Sequence, residues 1–131
     1  MESQGTSTRR TGRFEFVVTN AGHAITTDVV EKLGGQDHGM NPHHLLEASL
    51  AGCTAMTLQM YAERKGIPLE YADVRVKVVA ETKEASRLER DIQLHGELTP
   101  EQRQLLLDIA NRCPIHKLLL STITIDSKLV D

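Results

Sequence analysis

The sequence has no tryptophan, and only two tyrosines and two phenylalanines occur in its 131 residues. Surfaces that stack nucleic-acid bases depend on aromatic side chains, so this scarcity argues against such a function. Basic residues are also few, since 15 lysines and arginines stand against 18 acidic residues, for a net charge of -3. A chain with no basic surplus is poorly suited to nucleic acid or to an anionic membrane surface, and we expect neither as a partner.

Long apolar runs are missing as well. No stretch approaches the roughly 18 apolar residues of a membrane span, and the N-terminal MESQGTSTRRTG is not followed by the apolar segment of an export signal. We therefore expect a cytoplasmic protein. Two cysteines do not make a disulfide framework, and in a reducing compartment such residues serve packing, metal binding or redox chemistry.

The length of the chain suits one domain with its own core. The polar residues 1–12 predict a flexible tail, followed by a single domain over residues 13–131. RFEFVV and HAITTDVV indicate two strands, and Asn20 and Gly22 between them favour a hairpin. The glycine-rich EKLGGQDHGMNP then predicts an exposed loop before a helix.

That helix is predicted from Pro42 to Lys65, with Asn41 as N-cap and Gly66 beyond its end. Spacings of three and four residues define a largely apolar stripe on it: Leu46, Leu50, Cys53, Thr57 and Tyr61.

Small residues surround the cysteine in ASLAGCTAM, and Gly52 costs the helix roughly 1 kcal/mol relative to alanine. This concession indicates that another backbone or a ligand approaches closely. By itself the segment slightly favours a buried, inert Cys53, because free cysteine is among the most buried residue types.

The second half begins with YADVRVKVVAET, whose alternation predicts a half-buried strand, and RLERDIQLHGEL is its expected antiparallel partner. Thr99 and Gln102 form a capping-box pattern at the start of a second helix. This helix is predicted to run to about Arg112 and to bury Leu106, Ile109 and Ala110.

The next residue on the buried face of that helix is Cys113, and Pro114 is expected to end the helix. The final STITIDSKLV predicts a closing strand. The element order therefore predicts an α+β fold with antiparallel sheets packed around two core helices. If the apolar faces of the two helices pack together, the two thiols meet in the core.

Two motifs carry a family resemblance. NPHHLLEASLAGC begins a helix and leads to a small-residue segment with a cysteine, and NRCPIH ends the second helix. In this order and at this separation they resemble the OsmC/Ohr family of osmotically inducible and organic hydroperoxide resistance proteins, more closely the OsmC-like branch. The resemblance spans roughly residues 13–130, and it implies an intertwined homodimer with active sites at the subunit interface.

The resemblance also implies a thiol peroxidase that needs no metal or prosthetic group. Cys53 is the expected peroxidatic residue and attacks an organic hydroperoxide, with hydrogen peroxide as a further candidate substrate. The resulting sulfenic acid condenses with Cys113, the expected resolving residue, to form a disulfide. A dithiol such as a lipoylated protein is the expected reductant.

The sequence departs from the family where the thiolate is activated. In the family an arginine of the N-terminal hairpin, held by a glutamate in an NPE motif, favours the anion. Here the glutamate position is His43, and the hairpin turn contains His23 but no arginine. Other candidate cations are Arg9, Arg10, Arg13 and His116.

Glu47 does not replace the missing carboxylate, because it lies about 240° around the helix from Cys53. Together with Glu63 and Arg64 it is expected on a solvated helix face.

Two alternatives stay open. The first is a non-enzymatic OsmC-like dimer that binds a small apolar ligand or senses oxidation. The second is a zinc site that uses the C-x-x-H spacing of Cys113 and His116. No second motif of that kind exists to complete four ligands, so metal binding is disfavoured.

Overall fold

A computed structural model describes residues 3–130, which fold into two antiparallel sheets and three α-helices. In chain order the elements are β1 (Thr6–Arg10), β2 (Phe16–Asn20), β3 (His23–Thr27), α1 (Pro42–Lys65), β4 (Tyr71–Glu81), β5 (Ser86–His95), α2 (Pro100–Ile109) and α3 (Pro114–Leu120). The predicted α+β class is confirmed. The chain forms two compact units, which divide between Leu46 and Glu47.

The N-terminal unit contains a three-stranded sheet in the order β1-β2-β3. The predicted hairpin is present, since Phe16 pairs with Thr27 and Asn20 pairs with His23. Only Ala21 and Gly22 remain for the turn, and both have positive φ values, 50° and 82°. A two-residue hairpin turn of the primed type requires this conformation.

Strand β1 lies inside the segment for which we expected a flexible tail. Its residues 6–10 pair antiparallel with β2, from Thr6 opposite Thr19 to Arg10 opposite Phe16. Four of its five residues are exposed, so backbone hydrogen bonds hold this edge strand with little apolar burial. A polar composition carries no signal for a strand of this kind.

The glycine-rich loop before α1 is organised by one buried carboxylate. Asp28 is 2% exposed and accepts backbone N–H groups from Val29, Gln36 and His38 at 2.8, 3.1 and 3.2 Å. Because each bond satisfies a backbone donor of the loop, Asp28 fixes the course of the chain towards α1.

Helix α1 has the predicted bounds, and the side chain of Asn41 accepts the His44 N–H at 2.9 Å as an N-cap does. Its buried face, however, is shifted by one residue from the predicted stripe: Leu50, Thr54, Leu58 and Ala62. Leu46 is exposed and Cys53 is half-buried at the edge of this face. Thr54 and Ala62 are only weakly apolar, so tertiary contacts decide which face is buried.

The core of the C-terminal unit joins α1 to α2. Its buried members are Leu58, Ala62, Leu69, Leu106, Ile109 and Ala110. Strands β4 and β5 form the predicted antiparallel pair, from Tyr71 opposite His95 to Glu81 opposite Ser86. The capping box of α2 is also present, with both reciprocal bonds between Thr99 and Gln102 formed, at 3.0 and 3.1 Å.

Two predictions for the C-terminal part are wrong. Pro114 begins α3 instead of ending the preceding helix, which finishes in a 3-10 turn over Ala110–Arg112. Proline at a first helical position lacks only an N–H that would be unbonded there anyway. STITIDSKLV forms no strand: residues 122–130 have no regular secondary structure and are exposed. Apolar alternation produces a strand only where a neighbouring backbone supplies the hydrogen bonds.

None of the helices within residues 3–130 combines the length and the apolar character needed to cross a membrane.

The capping box predicts a measurable contribution to stability. Thr99→Ala removes the oxygen that accepts the Gln102 N–H, and we expect a loss of about 1 kcal/mol in the free energy of unfolding. Urea denaturation at one fixed protein concentration measures this loss. Thr124→Ala, at an exposed position without regular structure, serves as the control. Equal midpoints for the two variants would contradict the prediction.

Candidate active site

The two cysteines lie together in the C-terminal unit as free thiols. Their side chains are hydrogen-bonded to each other, although 60 positions separate them in the chain. Cys53 is half-buried, whereas Cys113 is fully buried. The arrangement therefore combines an accessible sulfur with a sheltered one.

Different elements position the two sulfurs. Cys53 lies within α1, next to the buried Thr54. Cys113 follows the 3-10 turn that extends α2, and its backbone is extended, with φ -55° and ψ 129°, immediately before α3. Ile109 and Ala110 belong to the core and anchor the segment that leads to Cys113. Packing of α1 against this segment thus brings the thiols together.

The surroundings of Cys113 favour its anion. Burial alone raises the pKa of this thiol, but hydrogen bonding with Cys53 and with the backbone N–H groups of His116 and Ile115 outweighs burial. The Thr54 hydroxyl contributes in the same direction. The pKa of Cys113 consequently lies below the ordinary thiol value.

Cys53 has the opposite shift. Burial raises the pKa of its thiol, and the hydrogen bond and negative charge of Cys113 raise it further. The Ile115 N–H and the Thr57 hydroxyl oppose this shift without cancelling it. When the pair loses its first proton, the anion is therefore centred on Cys113, and the Cys53 S–H donates to it.

His116 does not provide the positive charge that the sequence suggested for it. Burial lowers the pKa of its imidazole, and the positive charge of Arg90 lowers it further, so His116 is mainly neutral at neutral pH. The other candidate cations lie in the N-terminal unit, and their role stays a prediction: Arg9, Arg10, Arg13, His23 and His43.

Glu47 is not on the solvated face for which we expected it. The residue is half-buried, and its Oε2 accepts the Val78 N–H at 2.8 Å. Val78 adjoins the register shift in β4, between Val78 and Ala80. A strand irregularity leaves backbone groups without a ladder partner, and Glu47 satisfies one of them from α1. Glu63 and Arg64 are exposed, as expected.

A group of residues with metal-ligating side chains occurs in the N-terminal unit. Ligand atoms of Glu15, Asp28 and His38 lie within 4.8 Å of one another, and His38 Nδ1 is 2.5 Å from Glu15 Oε1. The pKa of Glu15 is lowered by its hydrogen bonds with Thr11 and His38. Asp28 is occupied by three backbone N–H groups, so these contacts account for the group as a support of the loop. Among residues 3–130 neither Cys113 nor His116 belongs to such a group.

Sequence inspection missed three polar residues beside the thiols. Arg90 donates from Nη1 to Thr54 Oγ1 and from Nη2 to Asn111 Oδ1, both at 3.1 Å. A signal for Arg90 existed in the alternation of β5, where Leu88, Ile92 and Leu94 form the inward-facing set and Arg90 shares their period. A charge at such a position requires a polar partner inside.

The fold and this site define a small α+β protein with two reduced cysteines in contact. The chain belongs to the OsmC-like protein family, whose model matches residues 34–128. The resemblance seen in the two sequence motifs is thereby confirmed. The search of curated proteins gave no match.

Solved structures of the family share the fold. The chain is 18% identical to an OsmC-like protein from Mycoplasma pneumoniae, with a TM-score of 0.70 over 90% of this chain and 85% of that one. It is 22% identical to the organic hydroperoxide resistance protein OhrB of Bacillus subtilis, with a TM-score of 0.64 over 92% and 91%. A Legionella pneumophila organic hydroperoxide resistance protein OsmC is 19% identical, with a TM-score of 0.63 over 91% and 88%.

The coupling between the thiols predicts opposite responses in the two single-cysteine variants. In Cys53→Ala the pKa of Cys113 should rise, because the hydrogen bond from Cys53 is lost. In Cys113→Ala the pKa of Cys53 should fall, because the neighbouring sulfur no longer disfavours its anion. Thiolate absorbance in the ultraviolet, recorded against pH, measures both changes, and circular dichroism verifies that each variant is folded. Shifts in one common direction would contradict the coupling.

Proposed function

We propose that the protein is a thiol peroxidase that reduces organic hydroperoxides through a disulfide cycle. The observation that carries the proposal is the contact between the accessible Cys53 and the sheltered Cys113, both reduced. Two solved structures with this fold are described as organic hydroperoxide resistance proteins, which supports the choice of substrate class. Hydrogen peroxide is a second candidate substrate.

The first step belongs to Cys53 because its sulfur is the more accessible one. Its proton passes to the Cys113 sulfur as the Cys53 sulfur attacks one oxygen of the hydroperoxide. A sulfur–oxygen bond forms, the oxygen–oxygen bond breaks, and the alkoxide leaves with a proton as the alcohol. Cys53 gives up two electrons and becomes a sulfenic acid, while Cys113 returns to its anion.

The second step uses the properties of Cys113. Its thiolate attacks the Cys53 sulfur, the sulfur–oxygen bond breaks, and the released hydroxide takes up a proton to form water. A resolving thiol with a lowered pKa is suited to this attack because the thiolate is the nucleophile. A dithiol, for which a lipoylated protein is the candidate, then reduces the disulfide by exchange and is itself oxidised to a disulfide. No metal or prosthetic group takes part.

We also propose that the functional form is an intertwined homodimer with the active sites at its interface. The extended residues 122–130 support this, because Ile123 and Ile125 are 54% and 82% exposed in a segment with strand-like alternation. Gly52 supports it too: a Cβ added there would meet nothing within 4 Å in this chain, although the residue weakens the helix. Met56 and Met60 continue the exposed face of α1 beyond Gly52.

A non-enzymatic role is the second candidate, and one observation favours it. The raised pKa of Cys53 keeps its sulfur protonated, which slows attack on a hydroperoxide. A dimer of the same fold would then sense oxidation, or bind a small apolar ligand at the interface. Hydroperoxide consumption separates the two candidates.

The peroxidase proposal predicts distinct defects for the two cysteines. Reduced protein should consume cumene hydroperoxide in the presence of a lipoyl dithiol and lose two thiols per subunit. Cys53→Ser should abolish turnover, and Cys113→Ser should stop at a sulfenic acid that a dimedone reagent traps. Lys83→Ala, in the exposed turn between β4 and β5, is the control and should turn over normally. Normal turnover by Cys53→Ser would sink the proposal, and an inactive wild-type protein would favour the sensor.

The dimer proposal predicts a charge-sensitive C-terminal segment. The double variant Ile123→Glu, Ile125→Glu places charges on the apolar side of residues 122–130, and we expect it to shift the protein from dimer to monomer. Thr122→Glu, Thr124→Glu adds equal charge at the alternate positions and should remain dimeric. Sedimentation velocity at several protein concentrations measures the change. A wild-type protein that sediments as a monomer would overturn the proposal.

A further inference from the structure

Arg90 occupies an unusual place in β5. Its neighbours in the strand period, Leu88, Ile92 and Leu94, are half-buried, and the alternate positions are exposed: Arg87, Glu89, Asp91 and Gln93. Arg90 is itself half-buried and therefore extends from the apolar side of the strand. A guanidinium in such a setting is stable only with hydrogen-bond partners.

The two partners of Arg90 connect it to both elements of the thiol pair. Thr54 follows Cys53 in α1, and Asn111 lies two residues before Cys113. Neither partner is a carboxylate, so these hydrogen bonds leave the positive charge of the guanidinium unneutralised. Structural fastening alone is served equally well by a neutral side chain, whereas a cation has a further electrostatic effect.

Thr54 provides the path for that effect. Its side chain is fully buried, its Oγ1 lies 2.7 Å from the Leu50 carbonyl oxygen, and it is hydrogen-bonded to Cys113. A hydroxyl has one proton and two lone pairs. Because Arg90 donates to the oxygen, the single proton of Thr54 is directed either to the Leu50 carbonyl or to the Cys113 sulfur. A sulfur anion is the stronger acceptor, since hydrogen bonds to charged groups are the stronger ones.

The remaining charged and titratable groups around the sulfurs are few. Cys53 faces Cys113 from α1, and His116 lies three residues along the chain in α3. His116 is mainly neutral at neutral pH, because burial and Arg90 disfavour its charged form. Arg90 is therefore the group whose permanent charge acts in this site within the C-terminal unit.

We propose that Arg90 is the positioning cation of this thiol pair: by donating to Thr54 it polarises the hydroxyl that hydrogen-bonds the Cys113 thiolate. A chain of guanidinium, hydroxyl and sulfur stabilises the anion before a hydroperoxide arrives. The inference rests on the proposed function for its consequence in turnover, where it keeps Cys113 ready for the attack that forms the disulfide. Its electrostatic content is independent of any substrate.

The test is a thiol titration without hydroperoxide. In Arg90→Met the first thiol ionisation, followed by thiolate absorbance, should move to higher pH, and Arg90→Lys should restore part of the loss by keeping the charge without the two-pronged geometry. Arg75→Met, on the exposed side of β4, should titrate as wild type. A folded Arg90→Met that ionises at the wild-type pH would overturn the proposal.

Thr54→Val, which keeps the side-chain shape, tests the path. It should shift the ionisation in the same direction, and adding Arg90→Met to it should produce little further change, because the two residues act through one hydroxyl. A full additional shift would overturn the relay through Thr54.

In single-turnover reactions with cumene hydroperoxide, Arg90→Met should form the disulfide about tenfold more slowly at neutral pH, the loss expected for one hydrogen bond to a charged group. A wild-type protein that consumes no hydroperoxide would remove the proposed function, while the titration would still decide the role of Arg90.

Discussion

The site depends on one hydrogen bond, which links the sulfurs of Cys53 and Cys113. For this bond to form, α1 and the end of α2 must pack closely, which is the work of Leu58, Leu106 and Ile109 in the core. Both thiols lose hydration in this packing, and burial by itself disfavours either anion. The nearby backbone N–H groups and hydroxyls then determine which sulfur bears the charge.

The resulting asymmetry divides two chemical requirements between two residues. A reacting sulfur must be reachable by substrate, and half-buried Cys53 meets this requirement. A resolving sulfur must be nucleophilic when the sulfenic acid appears, and the N–H groups of Ile115 and His116 favour the anion of Cys113. The same short segment therefore ends the core packing of α2, begins α3 and tunes a thiol.

Arg90 and Glu47 show how polar groups from neighbouring elements support this arrangement. Glu47 ties α1 to the irregular part of β4 through the Val78 N–H, and Arg90 ties α1 to Asn111 from β5. Each is a charged side chain placed where the fold turns it inward. The family's usual arginine and glutamate positions are changed in this chain, and Arg90 supplies a positive charge from a different element of the fold.

Local signals in the sequence determined the hairpin turn at Ala21 and Gly22, the bounds of α1, the capping box at Thr99 and the strand pair β4-β5. Each of these elements depends on residues close together in the chain, so propensity and spacing were sufficient to predict it. The two motifs around Cys53 and Cys113 likewise identified the family. Tertiary structure alone decided the buried face of α1, the pairing of the polar strand β1, the unpaired state of residues 122–130 and the inward partners of Arg90. These features arise from contacts between residues far apart in the chain, where the free energy of packing and of satisfying buried polar groups exceeds any local preference.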